Sequence, residues 1–162
     1  MEEKEFIFES TNVEQTLRLG NLLGTLLAPG DVIALVGELG AGKTTLVKGI
    51  ARGLGVADKR AVKSPTFSLI HRYEGRIPIH HFDVYRLKGT QEMFDLGSDE
   101  VVYGNGVAII EWADKVPECL PEKYLEITLS LVSNHERTIK LRSYGEHYDK
   151  MIDTIKTTRQ LF

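Results

Sequence analysis

The stretch VGELGAGKTT, Val36 to Thr45, constrains this chain more than any other part of it. Gly37, Gly42, Lys43 and Thr44 fill the fixed positions of the phosphate-loop pattern G-x-x-x-x-G-K-[ST]. Such a loop has meaning only between a strand and a helix. Upstream, DVIALVG is a continuous β-favouring apolar run bounded by Pro29-Gly30, as a strand buried on both faces requires. Downstream, Leu46, Ile50 and Leu54 recur every fourth residue with Val47 and Ala51 beside them, and Gly53 and Gly55 punctuate the end of the predicted helix. Loop glycines let successive N–H groups turn inward on an anion, and the helix start adds its positive dipole end. The segment Glu38, Leu39, Gly40, Ala41, Gly42, Lys43, Thr44 and Thr45 is therefore the expected cradle for a polyphosphate. In it Lys43 reaches the terminal phosphates and the Thr44 hydroxyl occupies a magnesium position.

Around this unit the chain reads as an α/β fold with a mixed, mostly parallel central sheet flanked by helices and antiparallel hairpins. EFIFE is a first strand, and TNVE, Thr11 to Glu14, fits a capping box ahead of a helix with an apolar face through Val13, Leu17, Leu23 and Leu27. FSLIHRY and IPIHHFDVY flank EGR as a hairpin from Phe67 to Tyr85, TQEMFDLG is a short helix ending at Gly97, and GVAIIEW is a buried strand. YLEITLSL and RTIKLR alternate around SNHE as a second hairpin, and a helix from about 146 to 156 carries Tyr148, Ile152 and Ile155. At 162 residues the economical organisation is one domain over 1–162.

Composition narrows the partners. A net charge of −3 advertises no general basic surface for DNA or RNA. No apolar stretch approaches the length of a membrane span, the opening MEEKEF has no signal-peptide character, and the lone Cys119 suits a reducing compartment. The expected location is the cytoplasm.

A phosphate loop by itself hydrolyses nothing: it needs an acid for magnesium, a sensor near the γ-phosphate and a group that orients water. Asp83 closes IHHFD and Glu111 closes VAIIE, each at the end of a predicted strand. Strand-end acids also cap helices or sit solvated, so both roles stay open for them. Thr66, in SPTF, sits in a loop stiffened by Pro65 behind one helix, which suits a nucleotide-sensing switch as well as an ordinary turn. His80 and His81 point to opposite faces of one strand and do not share a metal ion; His81 is on the face of Asp83. Trp112 fits core packing or a ligand contact, and Arg86 fits a phosphate contact or a surface ion pair.

In this order and in a chain of this size, GELGAGKTT, SPTF, HFDVYRL and EW resemble the bacterial TsaE (YjeE) family, small P-loop ATPases required for threonylcarbamoyladenosine modification of tRNA. The resemblance covers roughly Glu5 to Leu131. It implies ATP with Mg2+, and action beside the partner proteins TsaB and TsaD, through which tRNA is met. It implies Lys43 as the P-loop lysine, Thr44 as magnesium ligand, Thr66 as switch threonine, Asp83 as the magnesium-associated acid, and Glu111 with Trp112 as the remaining signature of the nucleotide site, Glu111 near the metal. In that family hydrolysis supports the modification cycle while another protein transfers the threonylcarbamoyl group. Three other classes share parts of the pattern. A switch GTPase lacks its usual [NT]-K-x-D here, a small-molecule kinase lacks a lid or acceptor insertion, and a non-hydrolysing adaptor would use the same binding residues.

Overall fold

The computed structural model describes residues 3–57, 62–63 and 69–158. Its strands are β1 (Glu5–Ser10), β2 (Val32–Gly37), β3 (Ile70–Tyr73), β4 (Ile79–Asp83), β5 (Val107–Glu111), β6 (Tyr124–Leu131) and β7 (Arg137–Tyr144). Its helices are α1 (Val13–Leu26), α2 (Lys43–Gly53), α3 (Thr90–Asp95), α4 (Ser98–Val102) and α5 (Glu146–Thr158). All strands join one sheet in the order β1-β7-β6-β2-β5-β4-β3. The central strands β6, β2, β5 and β4 run parallel, and the antiparallel partners lie at the two margins.

Hydropathy explains this division. VIALV and VAII are apolar without interruption and are buried on both faces, whereas YLEITLSL and RTIKLRSY alternate and bury mainly one. On one side of the sheet, Ile33, Leu35, Ile109, Ile127 and Leu141 pack under α1, α2 and α5. On the other, Val32, Ala34, Phe82 and Ile110 pack against Met93 of α3, Val102 of α4 and the 3-10 turns at Ala113–Lys115 and Pro117–Cys119. Helix α5 extends the predicted segment to Thr158 and buries Tyr148, Ile152 and Ile155 as the stripe requires. Among the described residues no helix is long and apolar enough to cross a membrane.

Two local expectations change. The N-cap of α1 is Asn12 rather than Thr11: Asn12 Oδ1 accepts the Gln15 N–H at 2.9 Å, and Gln15 Oε1 accepts the Thr11 N–H at 2.7 Å. The box thus sits one residue later, because β1 runs on to Ser10. The buried face of α1 runs through Thr16, Leu19, Gly20, Leu23 and Gly24, leaving Val13 at 62% exposure. The reason lies in the glycines. Gly53 ends α2 as expected, and it is also one of four glycines, with Gly20, Gly24 and Gly49, that let α1 and α2 touch backbone to backbone. A Cβ on Gly20 would lie 2.6 Å from the Leu46 carbonyl oxygen, and one on Gly49 would lie 2.5 Å from that of Leu17. Gly55, with φ of 82°, is the residue that turns the chain out of α2.

Candidate phosphate and metal site

Because β2, β5 and β4 are parallel neighbours, their carboxyl ends open on one side, where open α/β sheets bind ligands. The phosphate loop leaves β2 there and enters α2 through Gly42, whose φ of 99° lies in the left-handed region that favours glycine. Unlike α1, α2 has no side-chain cap. The N–H groups of a first helical turn have no carbonyl partner within the helix. Here they border a cavity of about 540 Å3 lined by Leu39, Gly40, Gly42, Lys43, Thr44, Thr45, Asp83, Tyr85, Arg86, Glu111, Trp112 and Arg137.

Four ionisable side chains are buried around this point: Lys43, His81, Asp83 and Glu111 are 6%, 0%, 3% and 2% exposed. Burying such groups is costly unless each has a partner. Lys43 Nζ donates to the carbonyls of Gly37 and Glu38, the latter at 2.8 Å, and lies 4.1 Å from the centre of the Trp112 ring. Burial pushes the Lys43 ammonium below its ordinary pKa, against the opposing pull of Glu111 and then Asp83. Asp83 and Glu111 stand opposite each other in the β4–β5 register. Asp83 Oδ1 accepts the Tyr85 N–H at 2.9 Å, which fixes the turn out of β4. Glu111 Oε2 lies 2.5 Å from His81 Nε2. Directly after Glu111, Trp112 adopts φ of 63°, a strained conformation for a bulky residue, and its ring packs on Tyr85 at 4.8 Å.

Most of the residues singled out in the sequence therefore converge. Leu39, Gly40, Gly42, Lys43, Thr44, Thr45, Asp83, Glu111 and Trp112 share the cavity wall. Glu38 and Ala41 do not line it; Glu38 contributes a carbonyl to Lys43, and buried Ala41 gives its carbonyl to Arg137. Thr66 lies outside the described residues. Arg86, weighed as a phosphate contact, does reach the cavity. Arg137 escaped sequence reasoning. From the start of β7 its Nε donates to Ala41 O at 3.1 Å and its Nη2 to Gly40 O at 3.2 Å, so the guanidinium braces the loop from behind. No spacing signal marks it, because the contact spans most of the chain.

The donor set suits a polyphosphate with Mg2+. That ion takes oxygen ligands, keeps several waters, and is held by one or two carboxylates plus phosphate oxygens. The Thr44 hydroxyl and the Asp83 and Glu111 carboxylates are oxygen donors on one cavity. Among the described residues no set of three His, Cys, Asp or Glu side chains forms a closed protein cage.

A family model described as "Threonylcarbamoyl adenosine biosynthesis protein TsaE" matches residues 10–139. The chain belongs to the TsaE family. The tRNA threonylcarbamoyladenosine biosynthesis protein TsaE of Bacillus subtilis is 40% identical over 153 residues, covering 94% of each chain. That of Treponema pallidum is 44% identical over 130 residues, 80% of this chain and 95% of the relative. The crystal structure of Bacillus subtilis YdiB superposes with a TM-score of 0.81 at 33% identity, covering 98% of this chain and 99% of the other. The TsaE match contains all of the cavity-lining residues, Arg137 included.

Proposed function

We infer that this chain binds ATP with Mg2+ and hydrolyses it as the nucleotide-driven component of tRNA threonylcarbamoyladenosine synthesis, working in the cytoplasm with TsaB and TsaD. The observation that carries this reading is the convergence of the phosphate loop with two buried strand-end carboxylates on one cavity, in a member of the TsaE family.

Each residue has a task that its position supports. The loop amides and the uncapped start of α2 receive the phosphates, and Arg137 keeps the loop in shape. Lys43 exchanges its loop carbonyls for the β- and γ-phosphates. Thr44 and Asp83 hold the magnesium ion, with Glu111 beside them toward the metal or the attacking water. When bound, the metal neutralises charge developing on the phosphate oxygens. Thr66 is assigned the γ-phosphate sensor on its sequence position alone. Like switch NTPases that a partner completes, the chain drives a change in another protein by hydrolysis at this cavity, so turnover is slow until a partner orders the site. With a net charge of −3 the chain meets tRNA through TsaB and TsaD.

The test is phosphate release by the purified chain, then with the TsaB–TsaD complex, then with tRNA alone. Release should be slow, then faster with the complex, and unchanged by bare tRNA. Fast release without partners, or strong activation by tRNA alone, would sink the partner-driven mechanism. Transfer of phosphate to a small acceptor would replace it with a kinase.

A further inference from the structure

Behind the cavity a chain of buried polar side chains runs inward from Glu111. His81, fully buried on β4, places Nε2 at 2.5 Å from Glu111 Oε2 and Nδ1 at 3.0 Å from the Tyr73 hydroxyl. Tyr73 is itself buried at the end of β3, and its hydroxyl lies 3.2 Å from the carbonyl of Lys63 and 3.4 Å from His71 Nδ1. Three elements thus meet through two side chains: the strand that ends in Glu111, the β3–β4 hairpin and the backbone at Lys63. The β3–β4 register, His71 opposite His81 and Tyr73 opposite Ile79, places these rings together.

Hydrogen-bond chemistry orders the chain. An ionised carboxylate only accepts, so His81 Nε2 carries the proton that faces Glu111. In the neutral ring Nδ1 is then an acceptor, and Tyr73 is the donor that fills it. Burial pushes the Tyr73 phenol above its ordinary pKa, which keeps that proton in place. A tyrosine hydroxyl has one proton, so when Tyr73 donates it to His81 Nδ1 at 3.0 Å it does not also donate to Lys63 O at 3.2 Å.

Resting on the ATPase reading above, we propose that His81 and Tyr73 are positioning residues: His81 holds the Glu111 carboxylate in its working orientation at the cavity, and Tyr73 holds His81. A hydrophobic core has no need of this arrangement. An apolar residue in place of His81 would fill the space and leave Glu111 free to turn. The logic is that of a histidine oriented by an outer partner so that a reactive group keeps its angle.

The experiment compares His81→Leu, His81→Gln, His81→Asn and Tyr73→Phe with the wild type in the full chain. Nucleotide affinity is read from the fluorescence of Trp112, and kcat from phosphate release with TsaB–TsaD at saturating ATP. For His81→Leu, kcat should fall by about tenfold to a hundredfold while Kd moves by less than about threefold, the scale seen when an outer partner of a reactive group is lost. His81→Gln returns an amide N–H near the Nε2 position and should recover most of kcat. Tyr73→Phe should show a smaller fall in kcat, again at constant Kd. A merely structural role would lower stability without separating kcat from Kd and without rescue by Gln. Folded His81→Leu and Tyr73→Phe variants that keep the wild-type kcat would overturn the proposal. Should His81→Leu fail to fold, His81→Asn and Tyr73→Phe decide in its place: the shorter Asn amide does not reach Glu111, so wild-type kcat in both variants overturns the proposal and lowered kcat at constant Kd supports it. A wild-type chain that releases no phosphate even with its partners would remove the ATPase reading and this inference with it. Normal wild-type release with unaffected variants removes only the inference.

Discussion

The seam between α1 and α2 and the cavity at the ends of β2, β4 and β5 are both tightly built, but from opposite materials. The seam has almost no side chain in it: Gly20 and Gly24 face Gly49 and Gly53, and backbone lies on backbone. The cavity wall is dense with ionisable groups, Lys43, Asp83 and Glu111 backed by His81, each burdened by its burial. Contact closeness stabilises the first region; the second spends stability on keeping charges where chemistry needs them. Substitutions in the seam should therefore appear as lost stability with normal function per folded molecule, and substitutions in the cavity wall as lost function in a protein that is folded as well as before.

The largest effect is expected at Lys43. Lys43→Ala removes the cation that the proposed function sets against the transferred phosphates and should cut turnover by about a hundredfold to a thousandfold, and weaken ATP binding, at near-normal stability. Phosphate release and a denaturation curve measure the two halves of that statement, and ordinary hydrolysis by the folded variant would defeat the proposed site.

Next come Asp83→Asn and Glu111→Gln, which keep shape and remove charge. Each should lower turnover by about a hundredfold, with a much smaller change in nucleotide affinity. Their unfolding free energies should stay near that of the wild type, because the buried charge removed is offset by the pairing lost to Lys43. Wild-type rates in both would mean that these carboxylates are structural and that the contrast with the seam is empty.

The seam supplies the third test, with two terms of opposite sign. Gly24→Ala gains about 1 kcal/mol of helix propensity. Against this, its Cβ would stand 2.7 Å from Gly53 Cα and closer still to the Ile50 carbonyl, so the two helices must part. Overpacking of this kind costs typically about 1–3 kcal/mol and occasionally more; against backbone it should prevail, for a net loss near 2 kcal/mol in urea denaturation. Gly89→Ala is the control: nothing lies within 4 Å of its added Cβ and its φ of 171° is extended, so stability should move by no more than about 0.5 kcal/mol. Equal effects at the two glycines would remove the close-contact explanation.

The smallest effect belongs to Arg137, which stands between the two regimes. It touches the cavity but acts on the loop carbonyls of Gly40 and Ala41. Arg137→Ala should weaken ATP binding by about tenfold, read by Trp112 fluorescence, and leave the rate at saturation nearly intact. Lys43 lies over the Trp112 ring, so nucleotide binding that draws the ammonium away should register in this single tryptophan. A larger loss in kcat than in affinity would place Arg137 with the reacting phosphate instead.

How much of this was legible follows from the range over which each feature is encoded. The phosphate loop, the doubly buried strands β2 and β5, both hairpins and the stripe of α5 are written in adjacent residues, through hydropathy, turn chemistry and a fixed spacing. They were readable because each is decided within about a dozen residues of chain. Asp83 and Glu111 were readable as strand-end acids, each by itself. That they face one cavity depends on β4 lying beside β5 in the register that sets Asp83 opposite Glu111, a choice made by the sheet and not by either strand. The expected stripe of α1 holds at Leu23 and Leu27 but fails at Val13, because a 3.6-residue period fits several rotations; the glycines chose among them once α2 arrived. Gly53 shows the same limit from the other side: it ends α2 as its place in the sequence suggests, but only packing reveals that it also admits a neighbouring helix.

By itself, then, the sequence determined which segments become strands and which become helices α1, α2, α3 and α5, though not α4, that a phosphate loop joins one to the next, and through its ordered motifs the TsaE family. Tertiary structure alone decided the depth of the α1–α2 contact, the bracing of Gly40 and Ala41 by Arg137, and the linkage of Glu111 to Tyr73 through His81. The physical reason is common to all three: periodicity and spacing describe what one segment prefers, whereas a hydrogen bond or close contact between distant residues exists only after packing has selected one neighbour from many.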